Sequence, residues 1–319
     1  MADIYAAARR AIGAASAASP RLGGQAALAA FSSTGGRMAV RADDEATHDR
    51  ARRGTVSVRG QDLVTYRWGR GDVTVLLVHG WRGRASQFAP LVRELVAEGF
   101  HVVSFDAPAH GDSPGRRTDI RDWLAAITAL QAVHGRFRTI VGHSFGALAA
   151  VSAARDGVTT ASIAPIAGAG SASAFLTEFA DSIALDDPTR ARVEAAFRRR
   201  IGVDEASLTH RYDAIAHPLP PAIDLLVAHD ERDRQLSPDW SRQLFQAHRE
   251  QARLVATDGF GHARILAADP VLDAVVGLAT SGIAGVDSAL TPAIDTPDAA
   301  TPRGERTVLP GGGFASVQR

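Results

Sequence analysis

The sequence predicts an α/β fold, in which a mostly parallel sheet is covered by helices on both faces. Residues 73–78 are an unbroken apolar run, which is typical of a strand buried on both faces. From there to residue 167, short apolar runs alternate with helical patterns, and this alternation indicates strand–helix–strand units. The third observation is the segment Gly142-His143-Ser144-Phe145-Gly146, at which a short apolar strand passes directly into an alanine-rich helix.

The elements follow from the hydrophobic pattern in chain order. A hairpin is predicted first, because residues 55–58 and 63–66 alternate apolar and polar side chains around a turn. The apolar runs then predict strands at 73–78, 102–105, 138–141, 161–167, 223–228 and 253–256. Helical spacing predicts helices at about 87–98, 120–133, 147–154 and 239–248, and a last one that ends near 278.

The regular alternation breaks between residues 171 and 219, where the pattern is helical throughout. We expect this insertion to form a small helical cap over the carboxyl ends of the strands. The core is then residues 54–170 and 220–280. Residues 1–53 are expected to be a helical or mobile leader, and residues 281–319, rich in Pro, Thr, Ala, Asp and Gly, a disordered tail.

Composition restricts the function classes. The chain has 319 residues and a formal net charge of zero, so neither nucleic acid nor an anionic membrane surface is an expected partner. It contains no cysteine and no lysine, which excludes thiol nucleophiles, cysteine metal sites and Schiff-base chemistry. We expect a small-molecule substrate, no cofactor and no metal site, since there is no phosphate-binding glycine loop and the histidines lack ligand spacing.

No run is long enough to predict a transmembrane helix, and a cytoplasmic location is expected. Arg9-Arg10 and the small residues that follow leave a twin-arginine export signal as the alternative. The sequence does not predict the oligomeric state.

Ser144 is the predicted nucleophile. A serine with glycines two residues away on each side, between a strand and a helix, is typical of a nucleophile elbow, in which the hydroxyl stands at a helix N-terminus. The pattern also occurs at residues 111–115, around Ser113. There the next residue is Pro114, which has no N–H to donate to a tetrahedral oxyanion. Ser113 is therefore interpreted as a turn residue.

A serine hydroxyl needs a base that is oriented by a third group. The predicted base is His262, which follows the last predicted strand and is preceded by two flexible glycine positions. His229 is the alternative, but it ends a strand and is expected to bond locally. The acid is expected in the loop after residues 223–228, where Asp233 and Asp230 are both candidates.

The oxyanion donors are predicted to be two backbone N–H groups. Phe145 directly follows the nucleophile, and Trp81 lies in the loop after the first buried strand. Gly80 permits close approach there, and His79 is expected to bond inside the loop.

These segments resemble the α/β-hydrolase fold superfamily over about residues 55–278. The resemblance rests on Val78-His79-Gly80-Trp81, the segment 106–113, Gly142-His143-Ser144-Phe145-Gly146, His229-Asp230-Glu231-Arg232-Asp233 and Gly261-His262. In such proteins the acid segment commonly reads His-Gly-x-x-Asp. The resemblance therefore implies that Asp233 is the acid, that Asp106 has an architectural role, and that the chain is a bacterial serine hydrolase.

The function that the resemblance implies is hydrolysis of a small to medium ester, or a related carbonyl compound, through an acyl-enzyme on Ser144. The alternatives are an acyltransferase, a C–C hydrolase or cofactor-free haloperoxidase with the same triad, and a non-catalytic ligand-binding protein. Phe175, Leu176 and Phe179 form an apolar face of the predicted cap. That face either lines the acyl pocket or packs on the core.

Overall fold

A sheet of eight strands runs through the centre of the computed structural model, which describes residues 2–291. The strands are β1 (Arg52–Val58), β2 (Gln61–Trp68), β3 (Thr74–Val78), β4 (His101–Phe105), β5 (Phe137–His143), β6 (Thr160–Ile166), β7 (Asp224–Asp230) and β8 (Ala252–Thr257). Their order across the sheet is β1-β2-β4-β3-β5-β6-β7-β8. The hairpin β1–β2 is antiparallel, as is the pair β2–β4, and all other pairs are parallel. The predicted mostly parallel α/β fold is confirmed.

Thirteen α-helices accompany the sheet in the described part of the chain. They are α1 (Ala2–Ala18), α2 (Pro20–Phe31), α3 (Ala42–Asp49), α4 (Ala89–Ala97), α5 (Ile120–His134), α6 (Phe145–Arg155), α7 (Ala172–Ser182), α8 (Asp187–Ile201), α9 (Glu205–Tyr212), α10 (Pro238–Ala247), α11 (Gly261–Arg264), α12 (Asp269–Ser281) and α13 (Ile283–Leu290). A short 3-10 turn, Ala85–Phe88, precedes α4, and a second one, Ile265–Ala267, precedes α12. None of the helices in this range combines the length and apolar character needed to cross a bilayer.

The core lies on both faces of the sheet, because the central strands are buried from end to end. All five residues of β3 are buried. One apolar cluster joins the sheet to α5 and α6, with Trp123 and Ile127 fully buried. The other cluster packs α4 and α12 on the opposite face, with Leu95 and Leu278 fully buried. Continuous apolar strands therefore have helices on both sides, as expected of a parallel sheet.

The insertion between β6 and β7 consists of three helices, α7, α8 and α9, which we call the cap. Its two ends meet, because Ser171 and Asp213 pair in an antiparallel bridge and the Ala214 N–H donates to the Gly170 carbonyl at 2.8 Å. Glu178 of α7 accepts a hydrogen bond from the Trp240 indole at 2.8 Å. The insertion thus leaves and rejoins the core at one place beside α10.

The structure corrects the expected start of the disordered tail. Helix α13 lies within residues 281–319 and packs on α12, with Val286 fully buried. The two helices approach so closely that a Cβ on Gly285 would lie 2.0 Å from the Gly277 carbonyl oxygen. The segment that forms α13 is itself apolar, with Ile283, Val286 and Leu290, and the contact between glycine backbones lets it pack closely on α12. The expectation for residues 292–319 lies outside the described residues.

The parallel strands place their following loops at one edge of the sheet. The loop after β3 carries Trp81, β5 leads into Ser144, the loop after β7 carries Asp233, and the loop after β8 carries His262. Because the carboxyl ends of parallel strands lie side by side, residues far apart in sequence meet there.

Candidate active site

Ser144 occupies a sharp turn between β5 and α6. Its backbone is left-handed, with φ 53° and ψ −119°, which for a residue other than glycine costs about 1–3 kcal/mol. The flanking glycines explain how the turn fits. A Cβ on Gly142 would lie 2.4 Å from the Gly146 carbonyl oxygen, and a Cβ on Gly146 would lie 2.1 Å from that of Val78. Ser144 itself is partly exposed, so the turn holds its hydroxyl at the surface of the site.

The loop after β3 lies directly against this turn. A Cβ on Gly80 would lie 2.9 Å from the Ser144 Cβ, and the rings of Trp81 and Phe145 are 5.3 Å apart. Neither the Trp81 N–H nor the Phe145 N–H has an acceptor among residues 2–291. Two residues next to this turn, Trp81 and Phe145, therefore have backbone N–H groups that are available as donors.

His262 and Asp233 form a close pair. The His262 Nδ1 lies 2.6 Å from the Asp233 Oδ2, and the Asp233 side chain is fully buried. The other oxygen of Asp233 accepts the Gln235 N–H at 2.7 Å and the Leu236 N–H at 3.2 Å. Burial opposes ionisation of the Asp233 carboxyl, but the hydrogen bonds from His229 and His262 outweigh it and hold its pKa well below its usual value. The Asp233 side chain is therefore an ionised carboxylate held next to the Nδ1 of His262.

Asp230, the other candidate acid, has a different set of contacts. Its carboxylate accepts hydrogen bonds from the Thr257 hydroxyl at 2.8 Å, the Phe260 N–H at 2.9 Å and the Arg232 N–H at 3.0 Å. Burial raises its pKa, but the backbone donors of Gly261 and Phe260 and the other hydrogen bonds outweigh it and lower the pKa. Asp230 therefore fixes the loop that carries His262, whereas Asp233 contacts the imidazole itself.

His229, the alternative base, contacts the same carboxylate oxygen of Asp233 as His262 does. Its Nε2 is 3.1 Å from the Asp233 Oδ2, and its Nδ1 is 2.6 Å from the Ser241 hydroxyl. The Ser241 hydroxyl is also within 2.9 Å of the Gly168 carbonyl oxygen. His229 is buried in this network, so its ring helps to hold the Asp233 carboxylate in place.

His143 is a residue of the site to which sequence reasoning assigned no role. Its Nε2 lies 2.8 Å from the His262 carbonyl oxygen, and because a carbonyl only accepts, Nε2 carries the proton. Burial lowers its pKa to about 3, so the ring is neutral. The ring lies 4.9 Å from that of His262. Its position inside the elbow pentapeptide was the signal that could have identified it.

His79 and His110 fix the loop that carries Trp81. The His79 Nε2 accepts the Ala107 N–H and the His110 Nε2 accepts the Arg82 N–H, both at 2.9 Å. Burial lowers the pKa of His79 to about 4 and that of His110 to about 3. Both rings are therefore neutral and serve as hydrogen-bond acceptors for backbone.

Ser113 and Asp106 form a buried structural network next to this loop. Ser113 is fully buried, accepts the Val64 N–H at 2.8 Å and donates to the Asp106 carbonyl oxygen at 2.5 Å. The Asp106 carboxylate accepts the Ala85 N–H and the Tyr66 hydroxyl, both at 2.8 Å. Both side chains hold loops together, in agreement with their interpretation from the sequence.

The predicted apolar face of the cap divides into two environments. Leu176 is buried in the core cluster. Phe175 and Phe179 are only partly buried, and the Phe175 ring meets that of Phe145 edge-on, with centroids 5.5 Å apart. One side of α7 therefore reaches the elbow.

A comparison with models of protein families matches residues 75–274 to the alpha/beta hydrolase family. Curated protein sequences gave no match. The chain is similar in structure to a putative lipase from Acinetobacter baumannii, with a TM-score of 0.55 at 16% identity, covering 79% of this chain and 97% of that one. It is also similar to Est1E from Butyrivibrio proteoclasticus, solved with ferulic acid bound, with a TM-score of 0.54 at 17% identity and coverages of 74% and 99%. The esterase RhEst1 from Rhodococcus gives a TM-score of 0.51 at 17% identity, with coverages of 73% and 99%.

Proposed function

Because the chain belongs to the alpha/beta hydrolase family, we propose that it is a serine hydrolase that cleaves a small to medium uncharged ester. The observation that carries the proposal is the His262–Asp233 pair, 2.6 Å apart, at the same sheet edge as the strained turn at Ser144. A buried carboxylate on the Nδ1 of a histidine fixes the tautomer whose Nε2 can accept a proton.

The proposed reaction begins with attack of the Ser144 Oγ on the ester carbonyl carbon, while His262 Nε2 takes the hydroxyl proton. The carbonyl oxygen becomes an oxyanion, which accepts hydrogen bonds from the Trp81 and Phe145 N–H groups. Collapse of this intermediate breaks the bond to the leaving oxygen, which receives the proton from His262. Water then attacks the acyl-enzyme by the same route and releases the carboxylic acid and free Ser144.

Asp233 serves this cycle by stabilising the imidazolium that forms at each proton transfer. Its lowered pKa keeps it ionised at neutral pH, so it remains an acceptor for His262 Nδ1–H. His143 and Asp230 hold the backbone on either side of the imidazole, through the His262 carbonyl and the Phe260 N–H.

The proposal is tested with p-nitrophenyl acetate and butyrate and with a fluorophosphonate label. Ser144→Ala is expected to lower kcat/KM by about 1,000-fold or more and to abolish labelling, since the nucleophile is removed. Ser288→Ala, at an exposed position of α13, is the matched control and is expected to behave as wild type. Undiminished hydrolysis or labelling of folded Ser144→Ala would refute the proposal.

The acceptor of the acyl group is tested in the same assay. With water as acceptor, added methanol or butylamine at millimolar concentration leaves the free acid as the main product, measured by chromatography. A product that is mainly the new ester or amide would assign the chain as an acyltransferase with the same residues.

A further inference from the structure

The segment after α2 covers the loop that carries the proposed oxyanion donor. The Ser33 carbonyl oxygen accepts the Trp81 indole N–H at 2.9 Å. It also accepts the Arg82 Nη2 at 3.3 Å, and Arg82 has a left-handed backbone with φ 60°. A chain segment outside the sheet therefore holds the side chains of two consecutive residues of this loop.

The same segment also contacts the cap. The Phe31 ring, at the end of α2, meets Phe179 of α7 and Phe197 of α8 edge-on, with centroids 5.3 and 5.9 Å apart. Helix α2 packs closely on α8, since a Cβ on Gly24 would lie 2.6 Å from the Arg192 Cβ. Phe31 and Ser33 thus join the cap to the loop after β3.

A row of aromatic side chains leads from these contacts toward Ser144, with one step along α7 that is not a ring contact. We call Trp81, Phe145, Phe175, Phe179 and Phe31 the aromatic row. Successive ring centroids lie 5.3 Å apart from Trp81 to Phe145, 5.5 Å from Phe145 to Phe175, and 5.3 Å from Phe179 to Phe31. Phe175 and Phe179 are four residues apart on α7, which places them on one face about one turn, or 5–6 Å, apart. Each step between neighbouring rings is thus longer than an acetyl group.

Burial distinguishes the aromatic row from ordinary core. Trp123 stacks on Trp81 and is fully buried. Within the aromatic row Phe145 is buried, whereas Trp81, Phe175, Phe179 and Phe31 are only partly buried. Partly exposed aromatic faces that start at the oxyanion donors offer an apolar surface to whatever is joined to the carbonyl carbon.

We propose that Phe31 forms the far end of the acyl-binding wall, so that the N-terminal segment selects apolar acyl chains of medium length. The inference rests on the proposed hydrolase function. It goes beyond the family assignment, because residue 31 precedes the matched range of residues 75–274.

The test compares Phe31→Ala with wild type on p-nitrophenyl esters from acetate to octanoate. The ratio of kcat/KM for octanoate to that for acetate is expected to fall about five- to ten-fold, the equivalent of losing contact with one to two methylene groups. Phe31→Leu, which keeps most of the apolar volume, should recover most of this ratio. Leu22→Ala is the matched control, because Leu22 lies on the same helix and is 51% exposed. Circular dichroism verifies that each variant is folded.

An octanoate-to-acetate ratio that stays within two-fold of wild type in folded Phe31→Ala would overturn the inference, and so would the same fall in Leu22→Ala. If Phe31 had a purely structural role, the substitution would lower kcat/KM for both esters equally and leave their ratio unchanged. Isothermal titration calorimetry with octanoate separates this outcome from failure of the hydrolase proposal. If wild type hydrolyses no ester, the hydrolase proposal fails. The proposal that Phe31 belongs to an acyl-binding wall is then tested by binding alone: Phe31→Ala must weaken octanoate binding at least five-fold relative to Leu22→Ala.

Discussion

The chain contains the pattern Gly-x-Ser-x-Gly twice, and the two copies have opposite environments. Ser144 is partly exposed in a strained turn, and the N–H of the next residue has no acceptor within residues 2–291. Ser113 is fully buried and uses its hydroxyl in two hydrogen bonds that join the loop after β4 to β2. The same sequence pattern therefore holds a candidate nucleophile at Ser144 and a serine with a structural role at Ser113. The residue after each serine, Phe145 at the start of a helix or Pro114 in a turn, decides between them.

The flanking glycines of the two copies are needed for different reasons. Gly146 is excluded from carrying a side chain by rigid backbone, the carbonyl oxygens of Val78 and His79. A Cβ on Gly115 would lie 2.7 Å from the end of the flexible Gln61 side chain, and its φ is 108°. The position of Gly146 is thus fixed by packing of main chain against main chain, and that of Gly115 mainly by backbone conformation.

Gly146→Ala is expected to have the largest effect. It should lower the free energy of unfolding by about 4 kcal/mol or more, because β3 must move to admit the methyl group. Gly115→Ala should cost about 1–2 kcal/mol, mainly from its positive φ. Urea denaturation of both variants measures the difference. Equal losses would show that backbone packing is not what distinguishes the two turns.

The serines themselves are expected to change stability in opposite directions. Ser144→Gly relieves the strained backbone and should raise the free energy of unfolding by about 1 kcal/mol, after the extra chain entropy of glycine is subtracted. Ser113→Gly removes two buried hydrogen bonds and should lower it by about 2–3 kcal/mol. Urea denaturation of both variants measures these changes in the free energy of unfolding. A loss of stability in Ser144→Gly would contradict the assignment of strain to the elbow.

The residues that precede the two serines give the smallest effect, a difference in pH dependence. The pKa of His143 falls from 6.5 to about 3 on folding because of burial. The unfolded chain therefore binds an extra proton below about pH 6.5, and stability is lost as pH falls toward 5. This single group accounts for about 1.5 kcal/mol between pH 6.5 and 5.

His143→Gln should flatten that slope, whereas Asp112→Asn should not. Burial opposes ionisation of Asp112, but its bonds to Arg84, Tyr66 and Arg53 lower its pKa below the ordinary value of 3.8. Its contribution is thus complete above pH 4 and is lost only at lower pH. Denaturation at pH 7, 6 and 5 measures the slopes, and identical slopes for His143→Gln and wild type would exclude His143 as a buried neutral base.

The features that could be predicted best from the sequence are those in which the main-chain structure restricts which residue types fit. The buried strand predicted at 73–78 is β3, Thr74–Val78, because five consecutive buried positions require an apolar run. The placement of Ser144, Trp81, Asp233 and His262 at one sheet edge follows from parallel strands that end together. The sequence left Asp230 and Asp233 as alternatives, since both follow the strand predicted at 223–228 and only the path of the loop decides which carboxylate contacts His262.

Contacts between remote segments could not be predicted. Phe31 has no periodic pattern that links it to Phe179, and Ser33 acts through its carbonyl oxygen, which every residue has. His229 and His110 share a residue type that occurs 11 times in the chain. Their roles depend on which backbone atoms face their rings, and single-sequence patterns carry no such information.

The link from Phe31 to the cap also has a consequence for biosynthesis. The chain emerges from the ribosome at about 5–20 residues per second, so Phe31 is translated well before Phe179 and Phe197, the rings on which it packs. Until they emerge, the aromatic ring and the apolar side of α2 remain without their partners. Docking of Phe31 on both rings therefore cannot precede synthesis of residue 197, and we expect a nascent chain halted before that residue to expose part of this apolar surface.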